Sequence, residues 1–595
     1  MKEREIVEGE EVTKNLGGEM RKKKTLAILS LVILVCGAFS GLAVASEEKV
    51  VKFGGSTLGG DFGYPSPYAF YPRGMGYIYM SFGFDTLTWK NETGVILWLA
   101  DSWEMSANGK TWTFHLHEGV KWHDGEPFTA DDVKFTFDYM KEHPRPKWFK
   151  SFKHIDHVDA VDDYTVVIYL KKPVADFLVS IAGDVPIFPK HIWDGVEDPK
   201  KFKGKEAVVG TGPFKLVKYN KEEGYYLWAA NEEYFKGKPL VDKLISMKVS
   251  DTALALKTGD LDEASFWRKD IDVVATFEGN PDFKIIEAPG YWVLQTIFNC
   301  EKYPTNITEF RHAIAYGIDN DEIIQKVVHG GAIPANPGIL QPGIEWHNPD
   351  LSGYEHNVTR ANEILNALNF TDADNNTIRE YPTGEDMEFE LITISKFSRE
   401  AELIKSQLEE VGLKINVKPM DKSTVDTILK EGNFFLAING HGGCSYPDIV
   451  EAPDWPASTY HNDSYDSIFD EQATTMNSEQ RKQLVYQLQE TIADDLPVYA
   501  LYHPKRWAIY NPEKLDTWFY TKNGIAHGIP YELNKLVFIG EEVPTTTPTM
   551  TATPTPTPMA TTTPTPTPKP PGFEATFTIA GLLAVAYLFL RKRGR

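Results

Sequence analysis

The chain has 595 residues, with 84 Asp and Glu against 61 Lys and Arg, a formal net charge of −23. So acidic a balance excludes a nucleic-acid partner, because phosphate binding needs clustered Lys and Arg, while it keeps an exposed protein soluble. About 490 residues lie between the terminal segments, enough for two or three domains with sizeable cores.

The leader Met1–Glu19 is acidic and fits no signal n-region, so translation is expected to start at Met20. Met20 is followed by Arg21-Lys22-Lys23-Lys24, an apolar run to Phe39 and Ala43-Val44-Ala45. That order predicts a secretory signal peptide over residues 20–45, cleaved after Ala45. A core helix is disfavoured because nothing apolar nearby packs on it. A lipoprotein site at Cys36 is disfavoured because Leu34-Val35 lacks the small residue such cleavage needs.

Further on, Trp112, Phe114 and Leu116 alternate with polar residues, which predicts a half-buried strand. A turn follows at Asp124-Gly125, then a helix with Thr129 as N-cap, Asp132 at the third position, and Phe128 and Val133 as a hydrophobic staple. Val133, Phe137 and Met140 share its buried face. A second capped helix starts at Asp319 with Glu322, followed by Ile323, Ile324, Val327 and Val328. Ser398 is expected to cap a helix lined by Ile404, Leu408 and Val411; Gly412 ends it, and Leu413, Ile415 and Val417 alternate as a strand. Leu484, Leu488 and Ile492 mark a late helix stopped before Pro497, and Val498–Tyr502 reads as a strand. Helices alternating with strands imply α/β lobes.

Catalytic motifs are missing. There is no Gly-x-Ser-x-Gly elbow and no His-Glu-x-x-His zinc helix, so no enzyme is expected. Gly109-Lys110-Thr111 ends like a phosphate loop, but Glu104 stands where its first glycine must be. His115 and His117 share a strand face, either as exposed strand histidines or as a metal pair without an identifiable third ligand. Asp131-Asp132 reads as helix-start charge favoured by the macrodipole, not as a glycosidase dyad. No cofactor is required, but Thr371–Glu380 carries Asp372, Asp374 and Asn376 at the one, three, five spacing of a calcium loop, with the Ile378 carbonyl at seven. Thr377 replaces the usual glycine and no Glu stands at twelve, so a weak calcium site and a metal-free Asx-rich turn both remain open.

Cys300 and Cys444 are the two cysteines of the mature chain, and in an oxidising exterior they are expected to pair. Closing so long a loop contributes about 4–5 kcal/mol in the chain-entropy model. Sequons stand at Asn91, Asn306, Asn357, Asn369, Asn375 and Asn462, compatible with a glycosylated surface. Residues 544–571 are almost only Thr and Pro, an extended O-glycosylated stalk reaching roughly 85 Å at 3.1 Å per residue. In the last segment, 572–595, Ala575–Leu590 is apolar and spans about 24 Å as a helix, short for a bilayer core of about 30 Å. Arg591-Lys592-Arg593 fits a cytoplasmic end.

Two strings carry a family resemblance: LWLADSWEMSANGKTWTFHLHEGVKWHDGEPFTADDVKFTF over Leu97–Phe137, and Val209-Gly210-Thr211-Gly212-Pro213-Phe214. They resemble the signatures of family-5 extracellular solute-binding proteins, receptors that feed oligopeptides, nickel chelates or sugars to ABC importers. The resemblance runs from about Val50 to Gly540. It implies an α/β, two-lobed periplasmic-binding-protein fold of type II, with an extra subdomain on the first lobe. Lobe I would be residues 50–84, 205–288 and 500–540, the extra subdomain 85–204, and lobe II 289–499. It also implies that Gly440, His441, Gly442, Gly443, Ser445, Tyr446 and Asp448 run along the ligand cleft, with Trp267, Trp292, Asn299 and Phe82 near it. Peptide-binding members place an acidic residue just before the tyrosine; here Ser445 stands there and Asp448 comes later, which puts free-amine peptides in doubt. His441 keeps a nickel chelate open, and the aromatics keep an oligosaccharide open. The tail from Pro571-Gly572-Phe573 onward resembles the sorting signal that archaeal surface proteins carry for archaeosortase processing. The resulting expectation is a monomeric receptor anchored by its C-terminus on the outer face of the membrane, working with ABC permease subunits. A secreted hydrolase and a structural surface lectin are the rivals.

Overall fold

The computed structural model of the chain describes residues 48–71, 74–145, 152–290, 292–442, 459–521, 524–525 and 532–540. The signal peptide, stalk and C-terminal segment lie outside them. In chain order the strands are β1 (Val50–Gly54), β2 (Thr88–Lys90), β3 (Val95–Leu97), β4 (Ala100–Met105), β5 (Thr111–Leu116), β6 (Ile155–Asp162), β7 (Thr165–Leu170), β8 (Phe214–Asn220), β9 (Tyr225–Ala230), β10 (Lys243–Met247), β11 (Glu263–Trp267), β12 (Lys284–Pro289), β13 (Trp292–Phe298), β14 (Ala332–Pro334), β15 (Glu388–Ile394), β16 (Lys414–Met420), β17 (Leu436–Gly442) and β18 (Val498–Tyr510).

Ten of these strands form one path, β16-β15-β17-β13-β18-β11-β1-β10-β9-β8, with β12 and β14 also on β18. The architecture is thus α/β and mixed: β15 runs parallel to β16 and β17, β1 parallel to β10 and β11, and the rest of the path is antiparallel. β18 is the strand common to both halves. Its first residues pair with β13, from Val498 opposite Ile297 to Tyr502 opposite Leu294. Its last residues pair with β11 and β12. The sequence pattern predicts this strand over Val498–Tyr502. The strand runs on to Tyr510. Proline is tolerated in a strand where no ladder donor is required, and Pro504 stands where β18 changes neighbours.

The hydrophobic cores follow the same division. The largest is built from residues between Val293 and Tyr502, on β13, β15–β17 and the helices over them. A second fills the four-stranded sheet β4-β5-β7-β6 and the helix Ala130–Glu142. A third, rich in aromatics, packs β1, β9 and the helix Met75–Gly83. The capping of Ala130–Glu142 is as expected: Thr129 and Asp132 complete a capping box, and Phe128 and Val133 are fully buried. Asp319 likewise accepts from the Glu322 amide at 2.8 Å. Ser398 does not cap. A 3-10 turn, Ser395–Phe397, runs straight into the helix Ser398–Glu409, and the Ser398 hydroxyl donates back to the Ser395 carbonyl at 2.7 Å. Of the strand histidines, His115 is exposed and His117 stacks its edge against Phe235 at 5.2 Å. Among the described residues neither belongs to a three-ligand cluster.

Two brackets join the sequence strings that the motif search singled out. His123 Nε2 lies 2.9 Å from the Gly212 carbonyl, and Gly210 N–H donates to His123 Nδ1 at 3.3 Å. A Cβ on Gly210 would stand 1.9 Å from the Gly83 carbonyl oxygen, so only glycine allows this approach. Nearby, the buried Asp85 carboxylate accepts from Trp98 Nε1 at 2.7 Å, Thr211 Oγ1 at 2.9 Å and Tyr234 Oη at 3.2 Å, and pairs with buried Lys535. A buried charge needs such partners.

Burial lowers the imidazoles of His123 and His503 to about 4 each. Both are neutral when folded, whereas an unfolded histidine titrates near 6.5. Between pH 6.5 and about 4 the unfolded chain therefore binds protons that the folded chain refuses, and stability falls as pH drops through that window. Each histidine contributes up to about 3 kcal/mol to this loss. Urea denaturation between pH 7 and 4 is expected to show the decline, and His123→Gln is expected to flatten it by one histidine's share while lowering stability at pH 7.

Candidate functional site

The change of partners along β18 brings groups from both halves together. Arg268 directly follows β11, and its Nη1 lies 2.8 Å from Glu400 Oε1 on the helix Ser398–Glu409. The pair is almost out of solvent, with side chains 7% and 0% exposed. Tyr502, on β18, donates its hydroxyl to the same Glu400 oxygen at 2.9 Å. The Arg268 guanidinium lies 5.2 Å from the Phe397 ring and 5.4 Å from the Tyr502 ring. Glu400 is in the first turn of its helix, where the macrodipole favours a negative charge. On the other side of the crossing, Arg506 pairs with Glu532 at 2.8 Å and donates to Ser265 on β11 at 2.9 Å. Burial and the Glu532 charge hold the neighbouring Glu263 carboxyl well above the usual carboxylate range.

Beside this seam the end of β17 meets Trp292. Trp292 pairs with Gly442 and Leu294 with Gly440 in the β13–β17 ladder. A Cβ on Gly440 would lie 2.4 Å from Cζ3 of the Trp292 indole and 3.5 Å from the Phe397 ring. The glycine at 440 makes room for the indole. The exposed Lys396 ammonium lies 4.9 Å from the Trp292 ring and 4.7 Å from Phe397, a cation–π arrangement. Partial burial and the neighbouring Arg268 and Lys422 charges lower the Lys396 pKa, partly opposed by Glu400. In a chain of net charge −23 this is a locally cationic corner next to an aromatic face.

Over residues 94–464, well over half its length, the chain matches the bacterial extracellular solute-binding proteins, family 5, middle region. The chain belongs to that family. Its members are receptors, not enzymes. It is 28% identical over 461 residues to heme-binding protein A of Haemophilus influenzae, covering 71% of this chain and 81% of that one. It is 26% identical over 435 residues to the nickel-binding periplasmic protein of Escherichia coli, covering 71% and 80%. The fold is similar to that of a periplasmic oligopeptide-binding protein from Thermotoga maritima, with TM-score 0.70 and 23% identity over 83% of this chain and 99% of that one. Residues 571–592 match the PGF-CTERM motif, an archaeal surface-sorting signal. This family-5 receptor is therefore a surface protein held at its C-terminus.

The structure sorts the residues that the sequence nominated. Gly440, His441 and Gly442 end β17 beside Trp292, and Trp267 ends β11, its Cη2 lying 3.4 Å from where a Cβ on Gly290 would stand. Gly443, Ser445, Tyr446 and Asp448 lie outside the described residues. Asn299 and Phe82 are structural. Asn299 Nδ2 donates to the carbonyls of Gly432 and Phe434 at 2.8 and 3.0 Å, and its Oδ1 accepts from Glu301, which closes the turn after β13. Phe82 is fully buried, its ring centroid 5.3–6.3 Å from those of Trp228, Phe538, Phe214, Tyr79 and Phe53. The sequence reading missed Arg268, Glu400 and Lys396. One signal was available: Glu400 precedes Ile404 and Leu408 at four-residue steps, a charge in the apolar stripe of an amphipathic helix, and all three are fully buried.

In the loop expected to hold calcium, Asp372, Asp374 and Glu380 have ligand atoms within 4.8 Å of one another. Glu380, at the ninth position of the loop, was not among the expected ligands. Asn376 turns elsewhere: its Oδ1 accepts from the Ile378 amide at 2.7 Å, and its Nδ2 donates to Asp374 and Asp386. Amide hydrogens offset the repulsion of the three carboxylates. Asp372 takes the amides of Asn376 and Thr377, Asp374 that of Asn376, and Glu380 those of Ala373 and Asp374.

The expected Cys300–Cys444 disulfide is not formed at Cys300, and Cys444 lies outside the described residues. Cys300 is a free, partly buried thiol, and burial raises its pKa.

Two outcomes are expected. Peptide mapping of secreted protein, alkylated before reduction, should recover Cys300 as the alkylated thiol; a Cys300–Cys444 bridged peptide would contradict the free thiol. Glu400→Ala should leave Arg268 buried without its partner and cost about 3–5 kcal/mol in urea denaturation. The double variant Arg268→Met/Glu400→Met should lie closer to wild type than either single change.

Proposed function

We propose that this receptor captures a carboxylate-bearing solute between its lobes and hands it to the permease of an ABC importer. The observation that carries the reading is the Lys396 ammonium over the Trp292 indole, at the end of the glycine-containing strand β17. An indole face plus an ammonium suits a flat or apolar solute ending in a carboxylate. Haem and peptides share that chemistry, and so does a metal carried as a carboxylate chelate. Ser445 in place of an acid argues against a free amine as the second recognised group. The lobes would close because the solute binds the closed arrangement better than the open one. The secretory route would use the signal peptide over residues 20–45. The tail beyond the Thr/Pro tract would be exchanged for a lipid anchor.

Native mass spectrometry of gently purified protein should reveal a co-purified solute containing at least one carboxylate. Calorimetry with that solute should then give an affinity at least about tenfold weaker for Lys396→Ala, about 1.4 kcal/mol. Small-angle scattering should show the radius of gyration falling when the solute is added. A neutral oligosaccharide whose affinity ignores Lys396→Ala would replace the carboxylate reading with a sugar receptor. An unchanged radius with bound sugar would favour a rigid surface lectin.

A further inference from the structure

The six sequons are not equivalent once folded. Asn91 is 3% exposed, and its Oδ1 accepts from the Thr93 amide and hydroxyl and the Gly94 amide at 2.8–3.0 Å. Asn462 caps the helix Asp463–Thr474 with its Oδ1 and commits its Nδ2 to Asp495 at 3.0 Å and to Tyr460 at 3.1 Å. Asn91 is too buried to take a glycan, and a glycan on the Asn462 nitrogen would have to displace one of its two donated bonds. Asn306 differs. It is exposed, and its Nδ2 has no hydrogen-bond partner among the described residues. Its backbone closes a tight turn, with Asn306 N–H donating to the Lys302 carbonyl at 2.7 Å and Ile307 N–H to that of Pro304 at 3.0 Å.

The same turn presents Tyr303, three residues earlier, which is 51% exposed, one of the few large hydrophobic side chains so open among the described residues. Its ring lies 6.2 Å from Phe370 and 5.9 Å from Tyr381, so its inner side is packed and its outer side faces water. Two sequons flank it, Asn306 on the turn itself and exposed Asn369 immediately before Phe370.

We propose that Asn306 carries an N-linked oligosaccharide whose first sugar covers the Tyr303 ring. The donor class is an oligosaccharide joined to a lipid phosphate, used by a membrane-bound transferase. The Asn306 Nδ2–C1 bond forms, and the bond from C1 to the lipid phosphate oxygen breaks. The phosphate leaves with the bonding pair, and a base of the transferase takes one Nδ2 proton. A pyranose has a face of C–H bonds, and placing it on the flat ring removes apolar surface from water on both partners. The turn sets the spacing, because it folds residue 306 back toward residue 302.

The test uses the full chain purified from the surface of its own cells. Glycopeptide mass spectrometry is expected to find the Asn306 peptide modified and the Asn91 and Asn462 peptides bare. A bare Asn306 overturns the proposal, and a glycan on Asn91 or Asn462 overturns the sorting that led to it. The role of Tyr303 is read separately, from melting temperatures of wild type, Asn306→Gln, Tyr303→Ala and the double variant made in the same cells. Asn306→Gln should lower the melting temperature by about 2–4 °C when Tyr303 is present. It should leave it unchanged in the Tyr303→Ala background. Equal losses in both backgrounds would show that the glycan does not use the ring.

Discussion

The sharing of one strand by two lobes constrains everything else in this receptor. β18 is hydrogen-bonded to β13 on one side of the crossing and to β11 and β12 on the other. The chain passes between the two halves again directly from β12 to β13, so any relative motion must be absorbed at both places. Tyr502 is the last residue opposite β13 and Arg506 the first opposite β11; between them His503 and Pro504 pair with β14 and Lys505 with β12. Pro504 offers no ladder donor, and the register of β13 against β18 shifts between Leu294 and Gln295, an irregularity that increases local twist. Hinges are commonly a few such residues that take up the backbone change.

The charges at the crossing follow from that geometry. Each half of β18 carries a residue that ties the strand to a buried ion pair, Tyr502 to Glu400 with Arg268, and Arg506 to Glu532. Buried pairs add little net stability compared with apolar side chains, but they tolerate few alternative arrangements. Arg268 belongs to the chain just after β11, whereas Glu400 belongs to the helix over the other half of the sheet. Their pairing therefore fixes how the two halves meet. It also leaves Lys396 outside the pair, exposed and next to Trp292, with Glu400 acting on it only through space.

Local structure was largely legible in the sequence, and long-range structure was not. The strand at Trp112–Leu116, the capping box at Thr129 and the caps and periodic faces of the later helices announce themselves within a few residues. The family strings carried the two-lobed fold. What failed was whatever depends on register between distant strands. Nothing near Trp292 or Gly442 reveals that β13 and β17 run antiparallel with these two residues opposite each other. Nothing near Phe82 reveals that every residue of its helix is buried. The end of β18 was misplaced for a related reason: a proline breaks a strand only if its neighbour needs the missing donor, and the neighbours are far away in sequence.

The glycines of the β17 segment carry this lesson into the site. Read alone, a glycine-rich run suggests a backbone left bare for a ligand. In the folded chain Gly440 is bare because the Trp292 indole occupies the space a side chain would take. If the proposed site is right, a ligand would meet the other side of the indole and not the backbone beneath it. Gly440, Phe397 and Lys396, which pack around the indole, would then set the shape of the pocket without being read from any motif. Recognition there would rest on one aromatic plane and one ammonium, a combination that favours a flat or apolar body bearing a negative charge whether the rest of the solute is peptide, porphyrin or chelate.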